Sequence, residues 1–332
     1  MVEILLFFIG ASLLLYVLLG GADYGAGILE LLPLKKWREE QKDLINAAMG
    51  PVWEANHMWL ILIVVILFMG FPLLFTTLMT SLHIPMVALL IGIVLRGSVF
   101  TFRHYDAQKD DTSQKLYTWL FGLSSLWTSL WLGIIAASLS RGLIDLEARD
   151  FHSAYIAPWW GLYPLVQGFF VVCIFSFLAS VYLIGETSHP ELQKIYIRRA
   201  CVLNIFLIAV GALVFVTSSL DGSPLLKDFI SHPWALACMG GATLLFFILW
   251  IFITKRYAFW TRIASAGQVT LILLGWYFLY APHAILTKQG PLNFFDVAAP
   301  TATLKQLTYA LLVGSVFIFP SLIYLMKIFK SK

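Results

Sequence analysis

Apolar residues in this chain come in runs long enough to cross a bilayer, and polar residues come in short bursts between them. A spanning helix needs about 20 predominantly apolar residues to cross a hydrocarbon core of roughly 30 Å. Runs of that kind predict helices at about 3–22, 52–80, 83–102, 116–139, 158–184, 200–220, 233–253, 262–281 and 306–328. Pro72 inside the second, and Gly161 to Pro164 at the start of the fifth, predict kinks. The polar interruptions Lys35–Gln41, Arg103–Lys115, Arg141–Ser153 and Thr287–Lys305 are too short to bury cores of their own and read as loops. No fixed-period repeat and no low-complexity segment breaks the pattern. The expected architecture is all-α: an integral membrane protein of nine transmembrane helices, forming a single polytopic domain over residues 1–332.

Composition sharpens this reading. Soluble domains are roughly 45–50% apolar and about 25% charged, whereas this chain is 60% apolar and 12% charged over 332 residues. Met1-Val2-Glu3 lacks the basic start of a secretory signal, so the first run is expected to stay as a helix. Cys173, Cys201 and Cys238 lie in apolar stretches without close spacing, which supports neither a disulfide framework nor a metal motif.

The formal charge of +4 matters less than where it sits. Lys35, Lys36, Arg38 and Lys42 stand in the first loop, Arg103, Lys109 and Lys115 in the third, Lys194, Arg198 and Arg199 in the fifth, and Lys255, Arg256 and Arg262 in the seventh. Lys327, Lys330 and Lys332 close the chain on the same side, against Arg141, Arg149, Lys227, Lys288 and Lys305 on the other. Lys and Arg accumulate in cytoplasmic loops. The expected orientation is therefore N-terminus outside and C-terminus cytoplasmic, which requires an odd number of spans.

Charged groups inside a membrane cost at least about 2.5–3.5 kcal/mol at the bilayer centre, so each needs a partner, a water path or a function. Asp23 follows the first run, in a glycine-rich stretch from Gly20 to Gly27. Glu54 and His57 open the second, three residues apart on one helix face with Trp53, which would let a proton pass between carboxyl and imidazole directly or through one water. Arg96 and Arg103 stand seven residues apart at the end of the third and read as counter-ions or a haem-propionate contact. With Glu186, Asn204 and Gln268, these groups are expected to form one polar layer near the cytoplasmic face. Phosphate loops, nucleophile elbows, His-Glu-x-x-His and haem-attachment motifs do not occur. Axial haem ligation calls for a His or Met deep in a helix. Only His57 lies near a helix interior, so no haem or metal is expected on this chain. Small-residue seams at Gly20–Gly27 and Gly240-Gly241 are expected to face a partner.

The segment Gly50-Pro51-Val52-Trp53-Glu54-Ala55-Asn56-His57, followed by Trp59-Leu60, resembles the hallmark of subunit II of cytochrome bd-type quinol oxidases. The resemblance extends to Gly21–Gly27, to Arg96-Gly97 with Phe102-Arg103, and to Asp296–Pro300 followed by Thr303-Leu304. It implies a heterodimer with a haem-bearing subunit I, which holds haem b and haem d, oxidises quinol and reduces oxygen to water. In this family subunit II binds no essential haem. It supports subunit I and contributes a proton pathway from the cytoplasm, which by motif position falls on Asp23 and Glu54 with Trp53, Asn56 and His57 around them. The resemblance further implies a multi-pass protein of a bacterial or archaeal cytoplasmic membrane, in contact with membrane lipid. It leaves room for a small single-helix subunit and for a structural quinone or lipid, and nothing points to nucleic acid. The rival reading is a secondary transporter. Such proteins show internal repeats and broken helices at the midplane, and neither is evident here.

Overall fold

The computed structural model describes residues 1–330 except Pro33, Lys35, Pro51, Val52, 107–109 and Ser188, and omits the side chains of His104, Ile323 and 325–330. Pro51 at the expected helix start, and Lys35, Lys109 and Lys332 of the charge pattern, lie outside the described residues. Among the described residues, nine helices are long and apolar enough to cross a membrane.

The first span is α1 (Val2–Leu15), a π turn at Tyr16–Gly20, and α2 (Gly21–Glu30). After α3 (Arg38–Met49), the second span is α4 (Trp53–Gly70), continued by α5 (Pro72–Ser81). Then come α6 (His83–Tyr105), α7 (Asp111–Ser140), the short α8 (Phe151–Tyr155), α9 (Leu162–Ile184) and α10 (Pro190–Leu220). The short α11 (Leu225–Ser231) leads to the pair α12 (Pro233–Thr254) and α13 (Ala258–Tyr280). A hairpin of β1 (His283–Thr287) and β2 (Gly290–Asn293) precedes α14 (Thr301–Lys330).

Several expectations need correction. The first helix runs on to Glu30, so Asp23 lies within a continuous span rather than after it. A π turn takes up an extra residue and rotates the face that follows. The stretch 35–41 contains the start of α3, and 287–305 contains β2 and the first turn of α14, in place of the loops the hydropathy pattern predicts. Pro190 at the first turn of α10 starts the sixth span about ten residues early, because proline fits where no intrahelical donor is needed.

The kink expected near Pro72 is present. Phe71 leaves the helical region (φ −140°, ψ 61°), as a residue before proline is driven to do. Next to the break, the Gly70 carbonyl accepts from the Ala299 backbone N–H at 2.8 Å. The Asp296–Pro300 motif thus seals a kink in a neighbouring span.

Every residue of α2 is buried, on all faces. Gly21, Ala22, Gly25, Ala26 and Gly27 let other helices close on it. A methyl at Gly25 would collide with the Phe175 carbonyl oxygen of α9 and lie 2.9 Å from Ala179 Cβ, and one at Gly27 would collide with Ser125 Oγ of α7. This seam is internal, which corrects the expectation that Gly20–Gly27 faces a partner. At Gly240 a methyl meets nothing within 4 Å, while at Gly241 it would lie 3.1 Å from Leu271. Gly25→Ala is expected to lower the melting temperature of the purified protein, overpacking costing about 1–3 kcal/mol, while Gly240→Ala leaves it unchanged. Equal melting of the two variants would refute the seam.

The largest core joins α2, α9, α10, α12 and α13, with Tyr24, Phe175, Phe177, Tyr196 and Leu249 fully buried. A second joins α1, α4, α5 and the segment before α14. At the end of the bundle away from Glu30, Arg141 grips Asp221 through two bonds of 2.5 and 2.7 Å and donates to the carbonyls of Ala157, Pro158 and Trp160.

Candidate functional site

Two carboxylates on the first span meet two guanidinium groups on α6. Asp23 accepts from Arg96 Nη2 at 2.6 Å, with both side chains 1% exposed. Glu30 accepts from Arg103 Nη1 at 2.7 Å and Nη2 at 3.0 Å. The acids are seven residues apart and so are the arginines, and Asp23 pairs with Arg96 as Glu30 does with Arg103, so two parallel helices present two rungs of one ladder, spaced by about two turns. Arg96 and Arg103 are thus counter-ions to these acids.

Other contacts hold the arginines in place. Arg96 Nε donates to Ser125 Oγ at 3.1 Å, and its guanidinium lies 4.7 Å from the Tyr24 ring centroid and 4.8 Å from that of Phe121. Arg103 lies 5.2 Å from the same Phe121 ring. One aromatic ring therefore sits between the two cations, where cation–π attraction favours both. Arg103 Nη2 also makes a short contact with Asn46 Oδ1 of α3.

Around the inner rung, His57 packs against Tyr16, Tyr24 and Trp53, with ring centroids 6.4, 5.8 and 6.2 Å away. The Tyr16 and Tyr24 hydroxyls are hydrogen-bonded at 3.1 Å. Asn56 donates to the Leu19 carbonyl of the π turn at a long 3.5 Å. Among the described residues, two buried atoms here have no partner, Asp23 Oδ2 and His57 Nδ1. Buried polar groups are normally satisfied, so each marks a place for water or a transferable proton.

Glu54 stands elsewhere. Its side chain is exposed on the outer face of α4, where it heads a stripe of exposed apolar residues, Met58, Ile61, Val65 and Phe68. The expected carboxyl–imidazole relay on one buried face is corrected: Glu54 faces outward and His57 is half-buried toward Tyr24, with no described hydrogen bond joining them. Successive residues of a helix turn by about 100°, so a spacing of three leaves room for two residues to serve different faces.

Within the expected polar layer, the other members form hydrogen-bonded groups of their own. Asn204 donates to Gln268 at 3.1 Å and accepts from Trp250 Nε1 at 3.3 Å, in a cluster of α10, α12 and α13. Glu186 accepts from Arg262 at 2.9 Å at a partly exposed site. No described hydrogen bond links either group to the Asp23 rung. All three cysteines are free.

Glu30, Asn46, Tyr16 and Tyr24 escaped the sequence reading. The signal for Glu30 was available: its seven-residue offset from Asp23 equals that between Arg96 and Arg103. Below the outer rung opens a cavity of about 400 Å³, lined by Glu30, Asn46 and Arg103 together with Lys42, Asp111 and Gln114.

The family described as cytochrome bd terminal oxidase subunit II matches residues 1–329. The chain belongs to this family. It is 24% identical over 324 residues to the cytochrome bd ubiquinol oxidase subunit 2 of Bacillus subtilis, covering 96% of this chain and 92% of that one. It is 21% identical to the cytochrome bd-I ubiquinol oxidase subunit 2 of Escherichia coli K12, covering 92% and 88%. The fold matches a chain of the bd oxidase structure from Geobacillus thermodenitrificans with a TM-score of 0.77 at 20% identity, over 99% of both chains. A subunit II of the bd family thus carries the two-rung ladder, in a chain that spans the membrane many times.

Proposed function

We propose that this chain is the non-haem subunit of a quinol:oxygen oxidoreductase, a single polytopic domain of the bacterial cytoplasmic membrane that is not catalytic alone. A haem-bearing subunit I carries the b- and d-type haems, oxidises quinol and reduces oxygen to water. The Lys and Arg pattern puts the N-terminus outside and the Glu30 end of the bundle at the cytoplasm. Among the described residues no group of three or more His, Cys, Asp or Glu is placed to hold a metal ion.

The chain's own contribution is a proton route. The carrying observation is the inner rung: a carboxylate 1% exposed, held on one oxygen by Arg96 and without a partner on the other among the described residues, beside a half-buried imidazole whose Nδ1 likewise has none. Asp23 and His57 hold the proton inside the bundle, Trp53 and Asn56 fix the start of α4 against α6 and the π turn, and Glu54 presents it on the outer stripe. That stripe combines an acid with exposed apolar residues. Lipid would cover the apolar part but penalise the charge, so a protein partner, subunit I, is the fitting cover. Glu186, paired with Arg262, has a structural role away from this route.

The test is purification of the complex from native membrane, followed by a reduced-minus-oxidised spectrum and quinol-driven oxygen consumption. Haem d absorption is expected in the wild type. Asp23→Asn keeps an acceptor for Arg96 but cannot titrate, so it should retain haem d and consume oxygen about tenfold more slowly or worse. Absence of haem d would reject the assignment, and full activity of Asp23→Asn would reject the route through it.

A further inference from the structure

The outer rung differs from the inner one in its access to water. The Glu30 side chain is 2% exposed and that of Arg103 is 1% exposed, yet both line the cavity of about 400 Å³ between α2, α3, α6 and α7. The cavity wall carries as many acids (Glu30, Glu39, Asp43, Asp111) as bases (Arg38, Lys42, Arg103, Lys115). Balanced charge of this kind concentrates neither an anion nor a cation, and leaves a polar opening for water.

We propose that Glu30 is the proton-loading group of this subunit: it takes protons from water in the cavity and passes them inward toward Asp23. The inference rests on the proton-route reading above and adds to it a residue and an entrance. Arg103 supplies the means of release. Its Nη2 is shared between Glu30 Oε1 and Asn46 Oδ1, so the guanidinium keeps an acceptor when the carboxylate is neutralised. Lys42 of α3, Arg96 of α6 and Tyr196 of α10 are the other ionisable groups close enough to act on Glu30 electrostatically.

The inward step is too long for one transfer. Seven residues of helix put Glu30 and Asp23 about 10.5 Å apart along the axis, against about 2.6–3.2 Å for a direct proton hop. Among the described residues, Asp23 Oδ2, Arg103 Nε and Tyr196 Oη are buried and without partners around this stretch, and each has room in its bonding for a water. The chemistry is proton transfer alone. An O–H bond forms on the carboxylate as one breaks in cavity water, and the same proton leaves later to water on the inner side.

The experiment uses the assembled complex in proteoliposomes, with oxygen consumption and proton uptake followed together and haem content checked. Glu30→Gln should lower both rates about tenfold or more, and Glu30→Asp should restore most of each. The double variant Glu30→Gln with Arg103→Gln removes the uncompensated charge. It should assemble fully while staying slow, and it carries the test if Glu30→Gln alone fails to assemble. Turnover recovered together with assembly would make Glu30 the structural half of an ion pair and overturn the proposal, as would wild-type rates in Glu30→Gln. If Glu30→Gln is silent while Asp23→Asn is slow, the entrance is wrong and the route stands. If Asp23→Asn and Glu54→Gln are silent as well, the route itself is wrong.

Discussion

Arg96→Met is expected to destabilise this subunit by about 3–5 kcal/mol, the range found when one partner of a buried ion pair is removed. Arg96 is 1% exposed, and its loss strands the Asp23 carboxylate in a helix with no exposed face. It also removes the bond to Ser125 and the cation that Tyr24 and Phe121 enclose. The opposite truncation is milder. In Asp23→Asn the arginine keeps an amide oxygen, Ser125 Oγ, the Asp23 backbone carbonyl at 3.4 Å and two ring faces. Combining Arg96→Met with Asp23→Asn should therefore recover most of the loss, because a neutral pair avoids the stranded charge. Thermal denaturation of the purified complex measures all three variants. A single variant that melts like the wild type, or a double no better than the single, would show that the rung does not hold the fold.

The positions of the spans were legible because lipid imposes a length and a composition, and every predicted run holds a spanning helix. Their ends were less so. Polar helix beyond the bilayer looks like loop by hydropathy, which is why α3 and the first turns of α10 were missed. The π turn at Tyr16–Gly20 leaves no composition signal, since any apolar helix can take an extra residue, yet it places Asp23 within the bundle. The glycines of α2 read as a seam for a partner because small residues permit close approach to any helix. Only the fold tells that α7 and α9 fill it. Asp23, Arg96 and Arg103 are visible as charges in apolar surroundings, whereas Glu30 lies outside the predicted spans 3–22 and 52–80 and is not marked out by them. The matched spacing of seven on two helices would have paired it with Arg103.

The reverse split between stability and activity is expected at Glu54. Its side chain is exposed at the head of the outer stripe of α4, and substitutions at such positions usually shift stability by no more than about 0.5 kcal/mol. Glu54→Gln should leave the melting of the subunit and the haem content of the complex near wild type. A carboxyl that hands protons across an interface must both accept and release them, and glutamine keeps the shape and hydrogen-bonding capacity without that ability. Quinol-driven oxygen consumption should then fall by about tenfold or more, since a positioned acid–base group typically contributes about 10²–10⁴-fold. Glu54→Asp keeps a titratable group and should be tolerated better, with its shorter reach lowering the rate less than glutamine does. His57 gives an internal control: it lies one turn further along α4 and faces Tyr16 and Tyr24 instead of the stripe. If the stripe is the handover surface, His57→Gln should alter turnover without altering assembly with subunit I, while bulky charge placed at Ile61 should disrupt assembly. Oxygen consumption across a pH range, with haem content checked in each preparation, decides the matter. Wild-type rates in fully assembled Glu54→Gln would leave Glu54 as a surface acid of the interface and remove it from the proton route.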